Sequence, residues 1–489
     1  MSEDTPNPTL ISPWRQGELV ELTIDSLSNR GDGVGRWHDS DAVGKVVFVP
    51  DTVPGDRIQA RLLQVKPTYA HGKLHRLLQP SPHRVRPGCI VADKCGGCQW
   101  QPVAYEQQLI EKRNEVIQAL ERIGGLSDPP VDTVLPSAPL GYRNKATYPL
   151  RQASHQTFPN DPHPPVQAGY YQKGSHKLVN LNQCPIQDPR LNPLLAGVKP
   201  DIQQRGWSIY DERTHQGQLR HLSLRIGRRT GEILLTLVSR DADLPELEEQ
   251  AKIWSDRHPN LVGVLLNLNP HRGNAIFGNE TRLITGRPYL RERFAGLDFH
   301  ISATTFFQVN TEQAEALLDV ILDELNLQGH ELLLDVYCGI GTLTLPLAQR
   351  VRQVVGIESR PESVEQAQQN AALNGIKNVS FQVGTAEEVL PQVSQLHPEA
   401  AQPDVVLLDP PRKGCDRTVI EALRTLAPER IVYVSCNPAT LARDLNLLWA
   451  DHLYELTRVQ PADFFPQTAH VECAAFLQRT RAAEDCFRQ

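Results

Sequence analysis

"LLLDVYCGIGTLTLPLA", Leu332 to Ala348, decides the fold. Its first five residues, apolar but for Asp335, read as a strand buried on both faces. Gly339 and Gly341 mark a tight turn, and the apolar and Thr-rich stretch behind them reads as a helix. A strand that passes through glycines into a helix opens a doubly wound α/β domain. "VVGIES" follows and places Glu358 at the end of the next strand. In such a sheet the two strand ends face one crevice. The glycines let a ligand approach the backbone, and the acid suits ribose hydroxyls. The pattern admits a dinucleotide, but G-x-G-x-x-G needs a third glycine, and Thr344 stands there. A nucleoside cofactor without a pyrophosphate, such as S-adenosylmethionine, fits the turn better.

Further strand-type runs lie downstream: "VSFQV", "DVVLLD", "RIVYVSC" and "HVECAAFLQ", with helical stretches between most of them. "VVLLDPPRKG" ends one strand in Asp409, and two prolines fix the backbone behind it. Its carboxylate can address a planar base, or cap a rigid turn. Cys436 closes the next strand in "RIVYVSCNPATLARD", just ahead of a helix. A helix N-terminus lowers a thiol pKa, so a raised thiolate fraction is expected there. Carbon 5 of uracil is too poor a nucleophile to attack a sulfonium methyl directly. A thiolate added to carbon 6 gives an enolate whose carbon 5 can attack, and a base must then remove the carbon-5 proton. Glu472, in "TAHVECAAF" at the head of the last strand, is the candidate base.

With these residues in hand, the chain resembles the TRAM-containing, iron–sulfur RNA uracil-C5 methyltransferases that modify large-subunit (23S) ribosomal RNA. "FFQVNTEQAE", "DVYCGIGT", "LLDPPRKG", "VYVSCNPATLARD" and "HVE" carry the resemblance in that order, and it runs from about Pro13 to Gln478. It implies that Cys436 is the nucleophile and Glu472 the proton-abstracting base. It implies adenosylmethionine on Gln308, Tyr337 and Glu358, with Gly339, Gly341, Thr342 and Thr385 around it. Asp409 would lie between cofactor and uracil. Thr342 and Thr385 stand where some relatives carry Asn. Phe306 and Phe307 are placed either to stack a flipped base or to pack the core.

The N-terminal half has a different texture. "GELVELTIDSL", "GVGRW", "GKVVFVPD", "DRIQARLLQV" and "HGKLHRLLQPS" are short strands separated by turn signals, which predicts an OB-like barrel. "YEQQLIEKRNEVIQALERI" predicts a helix. Residues 131–288 read as mostly β, with one helix at "LPELEEQAKIWSDR" and a polar, Pro-rich loop at "QASHQTFPNDPHPPVQ". The 489 residues are too many for one core. The expected organisation is multidomain α/β. A disordered tail, 1–12, precedes an OB-like barrel, 13–80. A mixed α+β domain with a metal-cluster loop, 81–305, leads to a Rossmann-like methyltransferase domain, 306–489.

Net charge is −7, but residues 45–94 hold nine basic and three acidic side chains, so a polyanion suits the N-terminal half. The basic run "YRNKATYPLRQ" is a further expected RNA contact. The start of the chain lacks the features of a signal peptide, and no apolar run approaches a membrane span. A cytoplasmic protein with no obligate protein partner is expected. Nine cysteines, an odd number, argue against a disulfide framework. Cys89, Cys95 and Cys98 cluster, and Cys184 is the one other cysteine before the methyltransferase part. Spacing leaves zinc and iron–sulfur open; the resemblance implies a [4Fe–4S] cluster on these four. Two alternatives stand beside the ribosomal reading: the same reaction on transfer RNA, and an iron–sulfur dinucleotide oxidoreductase.

Overall fold

The computed structural model describes residues 14–37, 44–153, 164–398 and 402–480. The expected tail and most of the Pro-rich loop lie outside them. The chain divides into two compact units. One holds residues 1–93, 98–111 and 467–469, and the other holds 94–97, 112–466 and 470–489.

The first unit carries a closed five-stranded barrel. Its strands are β1 (Leu19–Leu27), β2 (Gly33–Trp37), β3 (Lys45–Val49), β4 (Arg57–Val65) and β5 (Tyr69–Gln79), in the order β1-β2-β3-β5-β4. β1 shows why these residues make strands. Val20, Leu22 and Ile24 point inward at every second position, with exposed residues between them. They meet Val47, Val49, Ile58, Ala60, Leu62 and Ala70 in the barrel core. Closure leaves no strand edge open to pairing. Helix α1 (Tyr105–Arg122) follows as its apolar periodicity predicts.

In the second unit a seven-stranded sheet comes first. It contains β6 (Lys145–Gln152), β7 (Val166–Tyr171), β8 (Leu178–Asn180), β9 (Leu219–Ile226), β10 (Ile233–Ser239), β11 (Leu261–Leu268) and β12 (Glu280–Gly286). The order is β12-β11-β10-β9-β6-β7-β8. Two helices accompany it where the sequence predicted one: α2 (Asn192–Arg205) and the expected α3 (Leu247–Arg257). Pro193, Gly197 and Pro200 disguise α2 as loop. It holds because Pro193 sits in the first turn, where no intrahelical N–H bond is lost, and because Leu194, Leu195, Val198 and Ile202 are buried. A hairpin of β13 (Tyr289–Phe294) and β14 (Leu297–Ser302) leads onward.

The last part is a doubly wound sheet. Its elements are α4 (Thr311–Leu325), β15 (Leu332–Val336), α5 (Thr344–Ala348), β16 (Gln353–Glu358), α6 (Pro361–Leu373), β17 (Val379–Val383), α7 (Ala386–Val389), α8 (Val393–Leu396), β18 (Val405–Leu408), α9 (Arg417–Leu426), β19 (Arg430–Ser435), α10 (Pro438–Leu448), β20 (Tyr454–Ala462) and β21 (Glu472–Arg479). The order is β17-β16-β15-β18-β19-β21-β20. The first five of these run parallel, and β21 lies antiparallel between β19 and β20. Every residue of β15 is buried. Leu332, Leu334 and Val336 join one apolar core and Leu333 the other, which is why the run has no alternation. Strand order reverses at β15, and ligands of such sheets bind at that switch point, beyond the carboxyl ends of the strands. No helix of the described residues is long and apolar enough to cross a membrane.

Candidate active site beyond the carboxyl ends of the strands

The turn after β15 is held in a costly conformation. Tyr337 has φ 79°, a left-handed value that costs a residue with a side chain ~1 kcal/mol or more. The backbone N–H groups of Tyr337 and Cys338 both donate to the Ile357 carbonyl, at 3.0 and 2.9 Å. That pair of bonds ties the turn to β16. Gly339 follows with φ 57°, and a Cβ added there would meet open space. The backbone is therefore bare where a ligand would approach. Glu358 ends β16 half-buried. Its Oε2 accepts from Gly339 N at 3.1 Å, and its Oε1 from Ser359 Oγ at 3.0 Å and Arg360 N at 2.8 Å. The carboxylate is thus oriented and retains acceptor capacity for hydroxyl groups. Thr344, in place of the third glycine, donates its hydroxyl to buried Asp335 at 2.5 Å. Burial pushes the Asp335 carboxyl up to about 7.

Gln308 lies between β14 and α4, half-buried, its backbone carbonyl held by Asn144 Nδ2 at 2.9 Å. Phe307 is buried against Phe294 and Phe299, with ring centroids 5.8 and 6.3 Å away, so it packs the core. Phe306 beside it is 65% exposed. Thr342 is half-buried in the glycine turn, whereas Thr385 is exposed and caps α7, with Glu388 accepting from its N–H at 3.4 Å. The Thr385 position thus has a structural account without a cofactor.

Asp409 follows β18, Cys436 follows β19, and Glu472 opens β21. The antiparallel register pairs Ser435 with Cys473, which sets Glu472 beside Cys436 at one end of the sheet. The thiol expectation is corrected here. Burial first, then the charges of Glu472 and Asp409, push Cys436 up to about 11, and the helix end does not reverse this. One donor at that end is already taken, since Asn437 Oδ1 accepts from Ala439 N at 3.1 Å. Burial also raises Glu472 well above the ordinary carboxyl range, and Asp409 reaches about 7 for the same reason. Three acidic groups converge here: Asp409 resists the ionisation of Glu472, and both carboxyls resist that of Cys436.

The sequence reading assigned no role to the residues that anchor this region. Asp444, buried on α10, accepts at Oδ2 from Tyr433 Oη at 2.6 Å and from Cys415 N at 2.8 Å. Its Oδ1 accepts from Arg443 Nε at 2.8 Å. Arg443 Nη2 also donates to the Lys413 carbonyl at 2.9 Å. The loop that follows Asp409 is thereby tied to the helix that follows Cys436. Gly414 is required there, because a Cβ would fall 2.4 Å from Asp444 Oδ2. The only sequence signal was that "ARD" closes the cysteine motif.

Cys89 and Cys98 belong to the first unit, Cys95 and Cys184 to the second. All four are half-buried. Among the described residues no three His, Cys, Asp or Glu side chains are gathered as a metal site. Cys95 and Cys184 both bear electrostatically on the Tyr170 phenol. Gly97 N donates to Cys95 Sγ at 3.4 Å, a contact suited to an anionic sulfur. A Cβ on Gly96 would lie 3.0 Å from the Tyr171 carbonyl, so the double glycine lets this loop approach closely. The basic run needs correction. Lys145 is half-buried with its ammonium 5.2 Å from the Phe277 ring centroid. Burial beside Arg225 and Arg143 lowers it to about 6, so it offers RNA little charge at neutral pH. Arg151 at the end of the run is exposed.

Comparison with known proteins follows the same division. A family described as tRNA (Uracil-5-)-methyltransferase matches residues 278–480, and the TRAM domain matches residues 13–75. An "Uncharacterized RNA methyltransferase" of Nostoc sp. is 66% identical over 475 residues, covering 97% of this chain and 99% of that protein. One of Halalkalibacterium halodurans is 39% identical over 468 residues, covering 96% and 98%. The crystal structure of Pyrococcus abyssi tRNA (uracil-54, C5)-methyltransferase with S-adenosyl-L-homocysteine is similar at TM-score 0.72. It shares 27% identity and covers 94% of this chain and 99% of that one. The chain belongs to the TRAM-containing RNA uracil-5-methyltransferases.

Proposed function

We propose that this enzyme methylates carbon 5 of a uridine in 23S ribosomal RNA through a covalent cysteine–uracil adduct. The observation that carries the covalent part is the β19–β21 register, which sets Glu472 beside Cys436 at the crevice rim. Adenosylmethionine, when bound, supplies an electrophilic methyl group. The bare glycine turn, the oriented Glu358 carboxylate and the half-buried Tyr337, Gln308 and Thr342 suit its nucleoside and amino-acid parts. The Cys436 sulfur, as thiolate, bonds to carbon 6, and the ring π pair moves through carbon 5 toward the carbonyl oxygen. Carbon 5 would then take the methyl group as its bond to the sulfonium sulfur breaks, the bonding pair staying on that sulfur, which leaves as the neutral thioether S-adenosylhomocysteine. Glu472 as carboxylate takes the carbon-5 proton, the carbon 5–carbon 6 double bond re-forms, and Cys436 leaves with its electron pair. A raised pKa suits Glu472 to this task, because once ionised it is a stronger proton acceptor than an ordinary carboxylate. Asp409, near neutrality in pKa, is suited to hydrogen-bond the uracil edge.

We also propose a [4Fe–4S] cluster on Cys89, Cys95, Cys98 and Cys184; the four thiols supply the donor set, and the family resemblance, not their spacing, favours iron–sulfur over zinc. It would serve structure, since methyl transfer needs no electrons. The transfer-RNA alternative is favoured by the Pyrococcus abyssi relative. The oxidoreductase alternative is set aside by family membership. Mapping 5-methyluridine in 23S and transfer RNA from cells lacking the protein tests the substrate. A 23S position should lose its methyl group; loss confined to transfer RNA would replace the ribosomal assignment.

A further inference from the structure

Arg412 follows Asp409 and two prolines on the loop between β18 and α9. Its carbonyl accepts from Asn437 Nδ2 at 3.2 Å and from Thr440 Oγ1 at 3.4 Å. Asn437 is the residue after Cys436 and caps the helix that begins there. The backbone of Arg412 is therefore fastened to the nucleophile's own helix cap, and the Asp444–Arg443 anchors lock the rest of the loop. The prolines remove two further freedoms. Its side chain is exposed. Among the described residues no carboxylate pairs with its guanidinium.

An unpaired surface arginine is ordinary. This one stands on a loop fastened to the residue next to Cys436; its charge opposes the burial that raises Cys436 and Glu472, and it lowers His470 as well. The charged groups facing Cys436 come from two places: Glu472 from β21, and Asp409 and Arg412 from the anchored loop that follows β18. Two are acids that resist a thiolate, and Arg412 is the cation among them. A buried thiol in acidic company needs such a partner to ionise.

We infer that Arg412 is the counter-ion of the covalent step, rather than a clamp for RNA phosphate. The inference rests on the covalent reading of Cys436. The Cys436 S–H bond breaks with its electron pair left on sulfur, and the proton passes to water. Arg412 stays protonated throughout. Its field then follows the negative charge as it moves from sulfur into the uracil carbonyl system.

The test has two arms. Iodoacetamide labelling of the Cys436 peptide, read by mass spectrometry from pH 6 to 10 on the whole protein without RNA, reports thiolate directly. An opposite charge close to a titrating group shifts it by about one unit or more, less when exposed. Labelling of Arg412→Gln at pH 8 should therefore be about three- to tenfold slower than wild type, and Arg412→Lys within about twofold. Adenosylmethionine binding serves as the folding control. In the second arm, adduct formation with saturating 5-fluorouridine-substituted 23S RNA should slow by a similar factor in Arg412→Gln. Its RNA affinity should change by no more than about twofold. Unchanged labelling with RNA binding lost would overturn the inference and make Arg412 a phosphate ligand. Unchanged labelling and unchanged binding would overturn it too. If wild-type protein labels normally yet forms no adduct with 5-fluorouridine-substituted 23S RNA or transfer RNA, the covalent reading fails, and the labelling arm still judges Arg412.

Discussion

Asp444→Ala should destabilise the methyltransferase domain by about 4 kcal/mol, although Asp444 touches neither proposed substrate site. The carboxylate is the acceptor for two buried donors, Tyr433 Oη at 2.6 Å and Cys415 N at 2.8 Å. Alanine strands both, and each stranded donor costs about 1–3 kcal/mol. The Arg443 pair adds little, because its side chain is 48% exposed and solvent screens it. Asp444→Asn keeps one oxygen for the two donors but turns an amide toward Arg443, so about 2 kcal/mol is expected. Tyr433→Phe in the Asp444→Ala background should recover about 1 kcal/mol, since one stranded donor is gone. Urea unfolding read at constant m-value measures the differences, and hydrogen exchange at the Cys415 amide tests the local claim. A loss below about 1 kcal/mol for alanine, or an asparagine variant as weak as the alanine one, would refute the reasoning.

The remaining predictions concern the chemistry and the pH response. Cys436→Ala should abolish methyl transfer while adenosylmethionine binding, followed by calorimetry, stays within about twofold; near-normal turnover would end the covalent mechanism. Glu472→Gln should still bond to uracil and transfer the methyl but fail to release it, so an RNA–protein band should accumulate on a denaturing gel. Cys184→Ser should strip iron from anaerobically purified protein, whereas stoichiometric zinc in the wild type would overturn the cluster. The Asp335 carboxyl is raised from 3.8 to about 7 in the folded chain, which therefore holds its proton longer than the unfolded one. Stability should fall as pH climbs between those values, and Asp335→Asn should soften that fall by on the order of 4 kcal/mol in pH-dependent unfolding.

The parallel strands were legible because burial on both faces leaves an unbroken apolar run, as in Leu332 to Leu334 and Val405 to Leu408. β20 was not, because "YELTRVQPA" mixes charged residues with a proline, and its place at the sheet edge demands less apolar sequence. α2 was hidden by residues that break helices in isolation. The candidate nucleophile, base and cofactor turn were all visible as strand-end residues. The direction of the Cys436 shift was not. The sequence offers the adjacent helix, while burial and the opposing acids come from the fold: Glu472 through the antiparallel β19–β21 pairing and Asp409 from the end of the parallel neighbour β18. The role of Asp444 was equally hidden, since an aspartate on a helix reads as solvated until Tyr433 and Cys415 are brought to it.

The insertion of β21 between β19 and β20 bears on how the enzyme is born. On a translating ribosome the glycine turn, Glu358, Asp409 and Cys436 all emerge before Glu472, so the nascent sheet holds the proposed nucleophile without its proposed resolving base. Until β21 arrives, β19 presents an open, apolar edge, the kind of template that invites pairing with other chains. A product cut short between Cys436 and Val471 would therefore, on the proposed covalent mechanism, be a hazard twice over: prone to aggregate, and, once bound to RNA, able to attach to a uridine it has no means to let go.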